Sequence, residues 1–136
     1  MTPASCWKGA PPMWMVVGGG EMTGDAQRIV ARDIAKEGGR VGWVEAEKMP
    51  HLFTGFVDWW QGARGVELWG KAIREMFEGS FEGGGIVLGV DGQEREVDVK
   101  TLTGLKRGDL LEVMRIEAGK LEIWIGENYK GPKRKL

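Results

Sequence analysis

The stretch Met13–Ala46, MWMVVGGGEMTGDAQRIVARDIAKEGGRVGWVEA, decides the fold. Its first five residues, Met13-Trp14-Met15-Val16-Val17, form an unbroken apolar run, the pattern of a parallel strand covered on both faces. Gly18-Gly19-Gly20 stops the run. Thr23 stands where a helix N-cap belongs, and Ala26, Ile29, Val30 and Ile34 recur at helical spacing over Gly24 to Lys36, with Asp25 near the positive end of the helix dipole. Gly38-Gly39 ends that helix, and Arg40 to Ala46 is rich in β formers, so a second strand follows. Strand, helix and strand in this spacing predict a right-handed βαβ unit and an α/β fold class.

Working outward, Met1 to Pro12 holds three prolines and reads as an irregular approach to the first strand. The second strand is followed by the loop Glu47-Lys48-Met49-Pro50-His51-Leu52-Phe53-Thr54-Gly55. Beyond it, Val66, Trp69, Ile73, Met76 and Phe77 mark an amphipathic helix over Ala63 to Phe77, and this stripe is its expected buried face. Ser80 to Gly85 is a glycine-rich break and the expected boundary between residues 1–79 and an α+β extension over 80–136. Ile86 to Val90 and Glu94 to Val99, joined through Asp91-Gly92, read as a β-hairpin. Leu110, Leu111, Val113, Met114 and Ile116 suggest a last helix to Ala118, although Leu121, Ile123 and Ile125 alternate like a strand. Lys130 to Leu136 reads as a solvated basic tail, with a binding patch as the lesser alternative.

With 136 residues, 42% apolar and 29% charged, the chain has the composition of a globular protein and not of a disordered tail. Nineteen basic against twenty acidic side chains leave a net charge of -1, so no global field draws it to nucleic acid or to an anionic membrane. Cys6 is the only cysteine, which excludes an internal disulfide and a thiolate-rich zinc site. No signal-peptide pattern and no apolar run of membrane-spanning length are present, so the cytoplasm is the default location. Seven Trp, most of them before position 70, call for a large aromatic core or for surface that something else covers.

His51 is the only histidine, and it lies in a loop just past a strand, where α/β folds expose functional groups. A lone histidine beside Met, Pro, Leu and Phe also fits a packing or surface role. Glu21 and Asp25 follow the first strand in the same topological position, so their carboxylates and the imidazole should emerge at one edge of the sheet. A carboxylate there would orient the imidazole, select its tautomer and stabilise the imidazolium formed in acyl transfer. Asp25 has a second reading as a favourable helix N-terminal charge; Glu21 has no comparable local reason.

From Pro11 to Phe53 the chain resembles the end of α/β-hydrolases of the hormone-sensitive-lipase-like branch, particularly fungal esterases and steryl deacetylase-like proteins. In that branch a Pro-Pro turn leads into an apolar strand, then an acidic motif D/E-x-L-x-D-E, a helix, a strand and a G-M-x-H-x-F loop. The resemblance implies Glu21 as triad acid, Asp25 as its alternate and His51, within Met49-Pro50-His51-Leu52-Phe53, as general base. It implies carboxylic-ester hydrolysis as the family chemistry, with no cofactor and no metal. Met22-Thr23-Gly24 departs from the usual middle of the acidic motif, and Lys48 stands where Gly is common. A fainter likeness runs through Val99 to Met114, VKTLTGLKRGDLLEVM.

Two parts of that machinery do not occur in the sequence: the G-x-S-x-G nucleophile elbow and the HGGG-type oxyanion segment, both of which precede the acid in chain order. Ser80 lacks the glycine two positions back and follows the histidine. Cys6 lacks an elbow. The expectation is an incomplete or inactive hydrolase that acts on a small-molecule ester only when an N-terminal portion completes it. A non-catalytic binding module on the same βαβ core is the alternative. Dinucleotide binding fails because the motif starting at Gly18 needs glycine where Thr23 stands, and because only one βαβ unit is expected. An open sheet edge is also expected, with Trp14, Trp43, Trp59 and Trp60 partly facing water and self-association through that surface, unless the hairpin and last helix fold back over it.

Overall fold

The apolar run forms β1 (Met13–Gly18), which pairs in parallel with β2 (Val41–Ala46), and α1 (Gly24–Lys36) makes the connection. The computed structural model describes residues 7–109, 111–112 and 115–116. In α1 the buried apolar positions are Ile29, Ala31, Ile34 and Ala35, while Ala26 and Val30 from the expected face lie half-buried at its rim. Gly38 ends the helix at φ 86°, a conformation open to glycine and strained for other residues. Thr23 occupies the N-cap position, but its hydroxyl does not cap the helix. It accepts a hydrogen bond from Gln27 Nε2 at 3.0 Å and turns toward Glu21 instead.

The next helix, α2 (Trp60–Glu78), begins three residues before the expected start and leads to β3 (Gly84–Leu88), which pairs in parallel with β2 and antiparallel with β4 (Glu94–Val97). Among the described residues the result is one four-stranded mixed sheet in the order β1-β2-β3-β4, a small α/β fold. The expectation of a single βαβ unit is therefore corrected: β2, α2 and β3 make a second. Ser80–Gly85 lies within one compact unit, which runs to Gly104, and the second unit starts at Leu105. The glycines of this stretch had the look of a linker. Gly84 and Gly85 instead begin a strand, and Gly42 on β2 opposes Gly84.

Odd-numbered residues of β1 and β2 face α1, and even-numbered ones face α2. Val17, Val41 and Trp43 pack with Ala31, Ile34 and Ala35, and Val99 from the turn after β4 closes that core. Val44, Ala46 and Leu88 pack with Leu68, Met49 and Phe53 on the other side. Since both connections step the same way across the sheet but lie on opposite faces, they have opposite hands. One of the two is therefore left-handed, against the strong preference for right-handed crossovers.

The largest correction concerns α2. The stripe Val66, Trp69, Ile73 and Phe77 is exposed, Phe77 at 90% and Trp69 at 49%, and Met76 is only half-buried. The helix buries Gln61, Gly62, Gly65, Leu68 and Ala72 instead. Small residues are used because loop backbone lies against them: a Cβ on Gly62 would meet Phe56 O at 2.1 Å, and one on Gly65 would meet the Phe53 ring at 2.9 Å. Of the tryptophans expected to face water, Trp43 is fully buried, Trp14 and Trp60 are half-buried, and Trp59 is exposed. In the second unit, residues 107–109, 111–112 and 115–116 are helical; the last four lie within the helix expected from Leu110 to Ala118, and 107–109 precede it. Cys6, Leu121 to Ile125 and the basic tail lie outside the described residues.

Candidate functional site: the Glu21–His51 pair

His51 is held out of the core by its neighbours. Met49 and Phe53 are buried on either side of it, 3% and 1% exposed, and anchor the loop in the α2-side core, so Pro50, His51 and Leu52 between them face water. The turn requires backbone that ordinary residues rarely adopt. Lys48 at φ 59° and Leu52 at φ 60° are the positive-φ non-glycine residues among those described, and they flank the histidine on both sides. Such strain persists only where surrounding structure over-determines it, and it concentrates at functional sites.

The glycine triplet after β1 receives this loop. Gly19 N donates to Ala46 O at 2.8 Å and Gly20 N to Met49 O at 3.0 Å, so main chain from the two strand ends is tied directly together. A Cβ on Gly18 would stand 2.2 Å from Pro50 O and 2.5 Å from Met49 O, well inside any tolerable contact. On the other side of the loop, the buried Gln61 Nε2 donates to Glu47 O at 3.1 Å and to Leu88 O at 2.9 Å. This clamps the ends of β2 and β3 together.

These constraints bring the two expected partners into contact. His51 Nδ1–H donates to Glu21 Oε2 at 2.7 Å, a short charge-assisted distance. The Glu21 side chain is 3% exposed and the His51 side chain 67%. A buried carboxylate is tolerable only when its lone pairs are met. Here Oε2 takes the imidazole, while Oε1 accepts from Gln27 Nε2 and from Thr23 Oγ1, the latter at 3.3 Å. With Nδ1 committed as donor, the neutral ring carries its lone pair on Nε2, the arrangement a general base needs.

Asp25 does not take part. It binds Arg28 at 2.8 Å, and Arg28 also makes a two-point contact with Glu45, at 3.0 and 2.5 Å. The hydrogen bond to Glu45 raises the Arg28 pKa from its ordinary value, and Asp25 adds to the same direction. The choice between the two acids is thus made by Arg28, whose reach across to β2 the sequence pattern did not reveal. Gln27 and Thr23, which hold Glu21, were also missed. Their spacing of four residues, one helical turn apart, was the available signal.

Ser80 stands elsewhere. It follows the C-terminus of α2, where its hydroxyl donates to Glu75 O at 3.4 Å, and a helix of 19 residues, roughly 28 Å long, separates it from the end carrying His51. No group of His, Cys, Asp and Glu that could hold a metal ion occurs among the described residues, and no described helix is long and apolar enough to cross a membrane. The chain matches no protein-family profile, no curated protein and no solved structure.

Proposed function

We propose that Glu21 and His51 are the acid and base of a carboxylic-ester hydrolase of the α/β-hydrolase type, as the C-terminal part of such a fold. The observation that carries this reading is the 2.7 Å contact between a buried carboxylate and an exposed imidazole beyond the carboxyl ends of two adjacent parallel strands. In acyl transfer His51 would take the proton of an attacking hydroxyl at Nε2 and return it to the leaving group, while Glu21 fixes the ring and stabilises the imidazolium. The nucleophile and the oxyanion donors would come from a portion that precedes β1 in chain order. The chain by itself is then unable to form an acyl-enzyme, and a small-molecule ester becomes its substrate only in the completed enzyme.

Two measurements test this reading. The purified chain should hydrolyse short p-nitrophenyl esters no faster than a His51→Ala variant. A burst of product stoichiometric with protein would overturn the assignment, because it requires a nucleophile within this chain. In ¹⁵N spectra of the neutral imidazole, His51 should carry its proton on Nδ1, and Glu21→Ala should return it to a mixture of tautomers. The same substitution removes a partly exposed charge-assisted bond, worth about 1 kcal/mol of stability. A ring already mixed in the unmodified protein would break the dyad. The non-catalytic alternative predicts no loss of ligand binding in His51→Ala.

A further inference from the structure

The tryptophans are not used alike. Trp43 fills the core, whereas Trp59 is 60% exposed, the most accessible of the described tryptophans, and belongs to neither core cluster. Its backbone is nonetheless fixed. Trp59 N donates to Phe56 O at 3.0 Å, and Trp59 O accepts from Ala63 N at 3.0 Å to open α2. The Phe56 ring stands against the indole, with centroids 6.1 Å apart and planes tilted by 36°. A large flat side chain is thus held in place facing water.

A groove of about 390 Å³ adjoins this indole at the carboxyl ends of β2 and β3, and its described walls include Trp59, Trp60, Gln61, Val90, Glu47 and Lys48, with no residue of β1. Two polar groups of these walls are unspent among the described residues. Gln61 is 5% exposed, and its Nε2 is committed to Glu47 O and Leu88 O, so its oxygen is left as an acceptor that no described donor meets. The described buried side-chain polar atoms without a partner are the indole nitrogens of Trp14 and Trp43. Gln61 Oε1 is not one of them, so it keeps access from outside, and the groove is the opening that Gln61 lines. The Glu47 carboxylate is occupied by Arg95 and by Val90 N at 3.2 Å, which leaves the ammonium of Lys48 without an ion pair among the described residues.

We propose that this groove is a carbohydrate-binding site, which takes a neutral, β-linked pyranose on the face of Trp59 with its hydroxyls on Gln61 Oε1 and Lys48 Nζ. A free acceptor and a free donor in one groove call for a ligand group that both donates and accepts, and a hydroxyl does so. A carboxylate or phosphate would meet Lys48 but set its oxygens against Gln61 Oε1 and the Glu47 carboxylate. An aliphatic chain would leave both polar groups desolvated and unmet. A pyranose with equatorial substituents has a flat C–H face, which lies on an indole through dispersion and through attraction to the negative face of the ring. Because Phe56 and the first turn of α2 fix the platform beforehand, little ordering cost falls on binding. The volume lies within the ~300–1,000 Å³ of small-ligand sites. Neither Glu21 nor His51 is among the groove's walls, so this inference and the ester-hydrolase reading can fail separately.

Titration of the full chain with cellohexaose and with xylohexaose, followed by calorimetry and by tryptophan emission, should give saturable binding of at least one of the two. Trp59→Ala should weaken that binding about tenfold and Lys48→Ala about threefold. Trp69→Ala, which removes the exposed indole on α2, should leave it unchanged. Far-UV circular dichroism and cooperative unfolding should be retained in all three. Should Trp59→Ala fail to fold, ¹⁵N spectra of the unmodified chain decide the matter: the Trp59 indole N–H should shift on saturation with saccharide, and that of Trp69 should not. Absence of binding by both saccharides, or an unchanged affinity in Trp59→Ala, would overturn the proposal. So would equal losses in Trp59→Ala and Trp69→Ala, or displacement of the saccharide from Trp59 by adenosine or by decanoate.

Discussion

Gly18 at the end of β1 and Gly79 at the end of α2 both read as chain breaks in the sequence and do different things in the fold. At the carboxyl end of the sheet, Gly18 has no unusual φ, yet no side chain fits there, because the carbonyls of Met49 and Pro50 occupy the space. At the other end, Gly79 adopts φ 76° with open space around it and serves to turn the chain out of α2. The first is glycine for close approach and the second glycine for backbone hand. Close approach builds a site because it ties two strand ends together, whereas a positive φ only redirects the chain.

The strongest way to break this comparison is Gly18→Ala. The added methyl meets main-chain carbonyls, which cannot rotate away as a flexible side chain would, so the histidine loop has to move. We expect a loss of about 3 kcal/mol by urea denaturation, at the upper end of overpacking costs, together with loss of the Nδ1-protonated signature of His51. Stability unchanged with the dyad intact would mean that the loop is not gripped by the triplet. Gly79→Ala should cost less, about 1 kcal/mol, from forcing a left-handed backbone on alanine at the helix C-terminus. The His51 signal should not change. A disturbed imidazole in Gly79→Ala would show that the two ends of the sheet are coupled.

What the sequence revealed follows the same division. The run Met13–Val17, the helical spacing up to Ile34 and the β formers after Arg40 carry strong local periodicity, and the structure reproduces that βαβ unit and the placement of Glu21 and His51 at one sheet end. Two features depended on contacts distant in sequence and were misread. The apolar stripe of α2 has the stronger helical pattern, but Gly62, Gly65 and Ala72 lose the comparison only because small residues score as neutral. They are the face on which backbone and the Phe53 ring can settle. The second parallel connection was hidden because Gly84-Gly85, read as a break, pairs with β2. Likewise, Arg28 stands one turn on from Asp25, a pairing the spacing offered, but nothing local announces that Glu45 holds the same guanidinium from β2.

Lys48 sharpens the comparison further, since it is a place where backbone hand is required and glycine is absent. Its φ of 59° is one that glycine adopts freely and that costs another residue about 1–2 kcal/mol. Against this, glycine adds ~0.5–1 kcal/mol of disorder to the unfolded chain. Lys48→Gly should therefore gain a little, under about 1 kcal/mol, and raise the melting temperature by a few degrees. Lys48→Ala separates backbone from side chain. Alanine at this position keeps the strain, so it should leave stability near that of the unmodified protein, and the gain should belong to glycine alone. In both variants the 2.7 Å Glu21–His51 contact should persist, because Gly19 N, Gly20 N and the Gln61 side chain hold the main chain on either side of Lys48 by hydrogen bonds that do not involve the Lys48 side chain. A loss of stability in Lys48→Gly would mean that the stiff residue limits the histidine loop's freedom, and that the loop is fixed by its own backbone more than by the glycines beneath it.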